Sequence, residues 1–336
     1  MLNDGCRDRS SSGHCGHEPV EREEEYYIYH DEEARLASME QRSFYEEYFR
    51  ERTVREPEIE KQWSRINRLK KEIRRIESPG LGLFVGIGGG EEMDAGRGTL
   101  VGVDLPFGKL HMSQKEHPES AYVCGDGRVL PFRNGLFDYA VCSEVIEHVK
   151  ERNQILRELA RVLKADGTVV LSTPNWWSLY GIFRLTYQVI ARTEFNAGNQ
   201  PLDQWSTPVS FMKEVQPYFK IGRIRGSWYW PPTGKGSVQV LPRFFGGFFH
   251  MLQPIDALLG AIFPRFGHSI WIVGRPRKIL KGDRSDDAFD ETVGNWFSSR
   301  GARLFFYLWL VFFGVYGFSK AKILEVAWHY IQCIGN

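Results

Sequence analysis

The chain has 336 residues, room for one large core with additions or for two domains. With 43 Lys and Arg against 42 Asp and Glu its net charge is +1, so no global field draws nucleic acid and none is expected as a partner. Five scattered cysteines (Cys6, Cys15, Cys124, Cys142, Cys333) make no disulfide framework and no charged-then-apolar leader opens the chain, so a cytoplasmic, reducing setting is expected.

Residues 1–56 read as a polar, partly disordered extension, rich in glycine and serine and then acidic. Cys6, His14, Cys15 and His17 match the spacing of no standard zinc knuckle. Phe44, Tyr45, Tyr48 and Phe49 recur at helical spacing. From Pro57, a residue suited to a first helical turn, Ile59, Trp63, Ile66, Leu69, Ile73 and Ile76 recur every three or four positions, which predicts an amphipathic helix. Its other face carries Lys61, Arg65, Arg68, Lys70, Lys71, Arg74 and Arg75, read either as solvated or as facing an acidic membrane. Ser78-Pro79-Gly80 ends it.

Next comes LGLFVGIGGGEEMDAGRGTLVGVD, Leu81 to Asp104. A buried strand at Leu83–Val85 runs into a turn through Gly86, Gly88, Gly89 and Gly90, and a second strand, Leu100–Val103, stops on Asp104. The dinucleotide fingerprint is excluded: it needs glycine or alanine where Glu91 stands, and a pyrophosphate would be repelled by Glu91 and Glu92. A helix over 106–117, a strand at 121–124 ending in Gly125-Asp126-Gly127, and a strand at 137–142 follow. Ile155, Leu156, Leu159, Val162 and Leu163 mark the core side of a helix, and 169–172 is a fifth strand. The alternation predicts an α/β fold, a doubly wound, mostly parallel seven-stranded sheet.

Gly86-x-Gly88-x-Gly90, then YVCGDGRVLPFRNGLFDYAVCSEVIEHV and LRELARVLKADGTVVLSTPN, resembles the class I S-adenosylmethionine-dependent methyltransferases, notably those of small molecules, quinones and lipids. The likeness is close over residues 80–175 and looser to Pro276. It implies a Rossmann-like methyltransferase fold and S-adenosylmethionine as cofactor. By the resemblance, Gly86, Ile87, Gly88 and Gly90 line the methionine and ribose portion, and Asp104, followed by Leu105, takes the ribose hydroxyls. Asp126 accepts the adenine amino group, Gly127 offers its N–H to the ring, and Ser143 and Glu144 sit near the methionyl end. Two features depart from the family pattern: Phe84 replaces an acid that anchors the methionine ammonium, a charge Glu91 or Glu92 can restore, and the first helix has room for two turns at most.

Glu144, Glu147 and His148 would share a face if helical, which leaves three readings: a divalent-cation site, His148 as general base on an acceptor hydroxyl, or His148 orienting a loop. His148 is the catalytic candidate and no metal is assigned. The second half is aromatic, with Trp176, Trp177 and Tyr180 opening a helix to Ala191, Thr207 capping another, a strand over 218–227 and a last, antiparallel one over 269–273. The methyltransferase domain is thus placed at 57–278.

Residues 279–336 form a linker and an apolar helical tail. Its run Leu304–Phe318 would reach only about 22 Å as a helix, short of a ~30 Å bilayer core, and is read first as an in-plane anchor or re-entrant hairpin, with a true span and a hairpin packed on the domain as the other readings. The expected function is methyl transfer to an oxygen, carbon or nitrogen of a small molecule, a lipid or quinone-like acceptor first, at the cytoplasmic membrane face. The alternatives are a S-adenosylmethionine-binding scaffold without turnover and a soluble methyltransferase of a polar metabolite.

Overall fold

The computed structural model describes residues 42–44, 46–47, 59–77, 79–87, 90–191, 202–229 and 253–277. Gly88, the cysteines and histidines near the N-terminus, and the apolar tail lie outside the described residues.

The chain begins its core with α1 (Ile59–Ile73), followed by β1 (Leu81–Val85), a 3-10 turn at Met93–Ala95 and β2 (Thr99–Asp104). Next come α2 (Phe107–Glu116), β3 (Ala121–Cys124), β4 (Phe137–Ser143), a 3-10 turn at Ile146–His148, α3 (Arg152–Val162) and β5 (Leu163–Pro174). The second half adds α4 (Leu179–Ala191), α5 (Pro208–Val215), β6 (Phe219–Ser227), α6 (Gln253–Ile262) and β7 (Ser269–Pro276).

Seven strands form one sheet in the order β3-β2-β1-β4-β5-β7-β6. The sheet is mixed: β1 to β5 are mutually parallel, and β7 runs antiparallel to both β5 and β6. Strand order reverses at β1, which pairs with β2 on one side and β4 on the other. In open α/β sheets such a reversal leaves a crevice outside the carboxyl ends of the strands, the usual place for a ligand.

β1 is buried on both faces, which is why its sequence is continuously apolar. Leu83 and Val85 enter a core shared with Ile155, Leu156 and Leu159 of α3 and Phe211 and Val215 of α5. Phe84 points the opposite way, into a core with Leu69 and Ile73 of α1, Leu110 of α2, Tyr139 and Trp271. Its ring meets Tyr139 edge-on at 6.1 Å.

Three expectations change. The polar side of α1 is not uniformly solvated, since Arg68 and Glu72 are buried beside Leu69 and Ile73, and Arg68 donates to the Gly226 carbonyl at 3.1 Å. Leu163 is buried as the first residue of β5, paired with Phe137, and not as the last of a helix. Glu144 has φ +55°, a left-handed backbone, so Glu144, Glu147 and His148 do not share a helix face. The 3-10 turn starts only at Ile146.

Candidate functional site

The carboxyl ends of β1, β2, β3 and β4 bring Gly86, Asp104, Asp126 and Ser143 to one edge of the sheet. Gly86 leaves β1 at φ +72°, and its N–H donates to Val103 O at 2.8 Å, locking the turn to β2. A Cβ there would lie 2.2 Å from Val145 Cγ2, so only glycine fits. Ile87 is buried, and Gly90 closes the turn by donating to Ile87 O at 2.8 Å.

Asp104 ends β2 half-buried, and its Oδ1 accepts the Leu105 N–H at 2.8 Å, which fixes the carboxylate at the strand tip. Asp126 is held differently. Arg128 donates from Nε and Nη2 to its Oδ2 at 3.0 and 2.7 Å, and from its backbone N–H to Oδ1 at 2.8 Å. Arg128 is buried as well and reaches Glu151 Oε2 at 2.7 Å. The loop is thus braced before any ligand arrives. Gly127 has a packing reason of its own, because a Cβ would meet Val85 Cγ1 at 2.8 Å and Ile155 Cδ1 at 2.9 Å.

At the end of β4, Ser143 is buried and accepts from Ser172 Oγ at 3.0 Å. Glu144 donates its N–H to Ser172 O at 3.1 Å, a bond that holds the left-handed turn. A non-glycine residue in that region is uncommon, and such strain clusters at functional sites. Glu92, from the shortened connection after the glycine turn, is buried against this group. Its carboxylate meets Arg65 Nη2 of α1 at 3.1 Å. Burial pushes the Glu92 carboxyl up to about 7 against the pull of Arg65 and a hydrogen bond with Ser143, and Glu144 and Glu91 push it further up.

Sequence reasoning missed Arg65 and Arg128. Arg65 stands four and eight residues before Leu69 and Ile73, the buried stripe of α1, and that spacing was the available signal.

Beyond β4, Glu147 is buried, and burial together with the nearby Glu144 carboxylate holds its carboxyl well above the usual range. His148 Nδ1 lies 2.7 Å from Leu202 O. A carbonyl can only accept, so Nδ1 carries the proton, and Nε2 lies 3.7 Å from Glu147 Oε1. The contact has the geometry of an ion pair, and burial disfavours the charged form of the Glu147 carboxyl in it. Among the described residues no group of three or more His, Cys, Asp or Glu is placed to hold a metal ion.

The segment 202–206 crosses this edge like a strap. Gln204 N–H donates to Glu147 O at 2.9 Å, Ser206 N–H to Pro174 O at 3.1 Å, and Arg152 reaches Ser206 Oγ at 2.7 Å. It presents Trp205, whose ring lies 5.3 Å from Trp176 and 5.5 Å from Tyr180, with the Arg184 guanidinium 4.5 Å over it. The edge therefore offers carboxylates (Asp104, Glu92, Glu144), the Arg65 guanidinium paired with Glu92, and a nearby aromatic wall. That donor set fits a nucleoside ligand without phosphate, as S-adenosylmethionine is, and disfavours a dinucleotide.

Residues 83–171 match the family model described as a methyltransferase domain. The chain is 36% identical over 91 residues to the biotin biosynthesis bifunctional protein BioHC of Cellvibrio japonicus, a match covering 27% of this chain and 18% of that protein. It is 35% identical over 80 residues to the demethylmenaquinone methyltransferase of Streptomyces griseus, covering 23% and 35% of the two chains. It thus spans about a third or less of the length of these curated relatives. A solved S-adenosylmethionine-dependent methyltransferase of Thermotoga maritima overlaps 70% of this chain and 99% of its own at 13% identity and a TM-score of 0.47. The motifs from Gly86 to Ser143 and the strand order that gathers them fall within the stretch, residues 83–171, that matches a methyltransferase domain, for which S-adenosylmethionine is the implied cofactor.

Proposed function

We propose that the protein transfers a methyl group from S-adenosylmethionine to a small acceptor with a ring or lipid character, at a membrane surface on the cytoplasmic side. The observation that carries this reading is the fixed tautomer of His148 beside the aromatic wall. When bound, the cofactor supplies a methyl group already activated by a positively charged sulfur. The protein's part is proximity, orientation and proton removal. Asp104 and the Gly86 turn hold the nucleoside, and Ser143 and Glu144 border the opposite end. His148 Nε2 takes the proton from the acceptor's hydroxyl, while Leu202 O steadies the imidazolium through Nδ1–H.

Several relatives over this region are demethylmenaquinone methyltransferases, which favours a quinone-like ring as acceptor. Trp176, Tyr180 and Trp205 offer faces on which such a ring can stack. The membrane part of the reading is supported by Ile255, Leu258 and Ile262 of α6, which are 42, 58 and 57% exposed on one stripe. No helix among the described residues is long and apolar enough to cross a membrane. The test is release of S-adenosylhomocysteine by the purified chain when offered a lipid extract or a short-chain demethylated quinone. Release that depends on the acceptor, and that falls about 100-fold or more in His148→Ala, is the expected result. Full release in that variant removes His148 as base, and binding without release under any acceptor favours a scaffold that has lost turnover.

A further inference from the structure

Phe84 stands where the family pattern calls for an acid, and its ring is buried under α1 among Leu69, Ile73 and Tyr139. A carboxylate at that position would sit unpaired in an apolar layer. On the same side of the sheet, Arg65 of α1 and Glu92 of the shortened turn make an ion pair at 3.1 Å that is mostly withdrawn from water. Arg65 Nε is buried and makes no hydrogen bond among the described residues, so its guanidinium fork has a donor to spare. Glu92 lies against that guanidinium, and Glu144, Glu91 and Glu147 act on it electrostatically. Burial opposes its charge, and those carboxylates more than offset the effect.

A purely structural pair would need neither the spare donor nor the extra acids. An amino acid needs both: a fork for its carboxylate and an excess of acceptors for its ammonium. S-adenosylmethionine has such an end, and this one is adjacent to Ser143 and Glu144, across the strand reversal from Asp104. We propose that Arg65 and Glu92 together grip the amino-acid end of the cofactor, Arg65 taking the α-carboxylate and Glu92, with Glu144, the α-ammonium. The anchor lost at Phe84 is thereby rebuilt from the helix before the sheet and the turn after it. This rests on the cofactor assignment above.

The test compares two ligands by calorimetry on the full chain: S-adenosylhomocysteine, which has the amino-acid end, and 5′-methylthioadenosine, which lacks it. Arg65→Gln and Glu92→Gln should each weaken S-adenosylhomocysteine about tenfold or more and leave 5′-methylthioadenosine unchanged. Arg65→Lys, which keeps the charge and loses the fork, should fall between. Equal weakening of both ligands, or of neither, overturns the proposal while the cofactor assignment stands. If the wild-type chain binds neither ligand, the cofactor assignment falls and the proposal with it.

Should the variants fail to fold, the wild-type chain supplies the answer through protons. Glu92 faces Arg65 from α1, Glu91 from its own turn, and Ser143, Glu144 and the Cys142 thiol from the end of β4. An ammonium arriving beside a carboxyl poised at about 7 should expel about half a proton at pH 7. Titrations in two buffers of different ionisation enthalpy should register that release with S-adenosylhomocysteine and none with 5′-methylthioadenosine. The same proton count for both ligands overturns the assignment.

Discussion

At the residue scale, the site separates carboxylates that are held for a ligand from those that brace the fold. On the proposed function Asp104 is the first kind: it ends a strand at the edge where the sheet's order reverses, a position legible in sequence as an acid closing the strand after a glycine turn. Asp104→Ala should cost about 1.5–3 kcal/mol of S-adenosylhomocysteine affinity with the ligand-free melting temperature nearly unchanged; an unaltered dissociation constant would remove it from the site. Asp126 reads from sequence as an adenine contact or part of an ordinary turn, and nothing in Gly125-Asp126-Gly127 announces that Arg128 folds back onto it. Removing its charge leaves a buried guanidinium with Glu151 as its remaining acidic partner, so Asp126→Asn should destabilise the ligand-free protein by about 2–4 kcal/mol in denaturant melts. Glu92 gives a pH signature. Its folded pKa, about 7, is raised from 4.5, so its contribution to stability is full below about 4.5 and is lost as pH rises through 7. The shift corresponds to at most about 3 kcal/mol. The melting temperature of Glu92→Gln relative to wild type should therefore climb between pH 5 and 8, and a flat difference would mean that the carboxyl titrates normally.

At the scale of elements, the strands were readable because burial on both faces forces continuous apolar runs, and β1, β2 and β4 have no other way to be buried. Helix α5 announced itself through Thr207, whose Oγ1 accepts the Ser210 N–H at 3.1 Å while Ser210 Oγ accepts the Thr207 N–H at 2.9 Å. What composition could not convey was direction. The residues from Glu144 to His148 look helical in sequence, yet Glu144 adopts φ +55° and breaks the phase, so the three ionisable residues do not sit on one helix face. Leu163 misled for a related reason: an apolar residue at a helix-to-strand junction is buried under either assignment. The turn after β1 shows how tightly such a junction can be specified. Gly86→Ala must accept both a left-handed backbone, about 1–2 kcal/mol, and a collision with Val145. The double variant Gly86→Ala/Val145→Ala should relieve the collision and leave the backbone cost. Denaturant midpoints would separate the two parts, and a double variant no more stable than the single one would place the whole effect in the backbone.

On the scale of the whole molecule, the sheet supplies the cofactor edge, and what lies after β5 decides which acceptor can reach it. The strap at 202–206 and the aromatic wall close one side of that edge. The helix α6, with Ile255, Leu258 and Ile262 exposed, lies beyond it in the chain. Leu304–Phe318 carries Phe305, Phe306, Trp309, Phe312 and Phe313 between Arg303 and Lys320. Each of those rings gains roughly 1.5–3 kcal/mol when fully buried, so the run needs a cover. A run this short, bounded by basic residues, suits one leaflet of an anionic membrane. Both apolar features would then face the same surface, and an acceptor dissolved in the bilayer could be drawn to the methyl group without crossing water. Removal of residues 279–336 should release the protein from anionic lipid vesicles in a flotation assay. Affinity for S-adenosylhomocysteine should not move, because Asp104, Glu92 and Arg65 all precede the cut. Turnover of a short, soluble acceptor analogue should persist, and turnover of the same head group on a long isoprenoid tail in vesicles should fall about tenfold or more, as the acceptor loses its high local concentration. Ile255→Lys with Leu258→Lys should weaken vesicle binding of the intact chain in the same assay. If the full-length protein stays in solution beneath the vesicles, the tail is covered by protein, and an acceptor carried in water becomes the better reading.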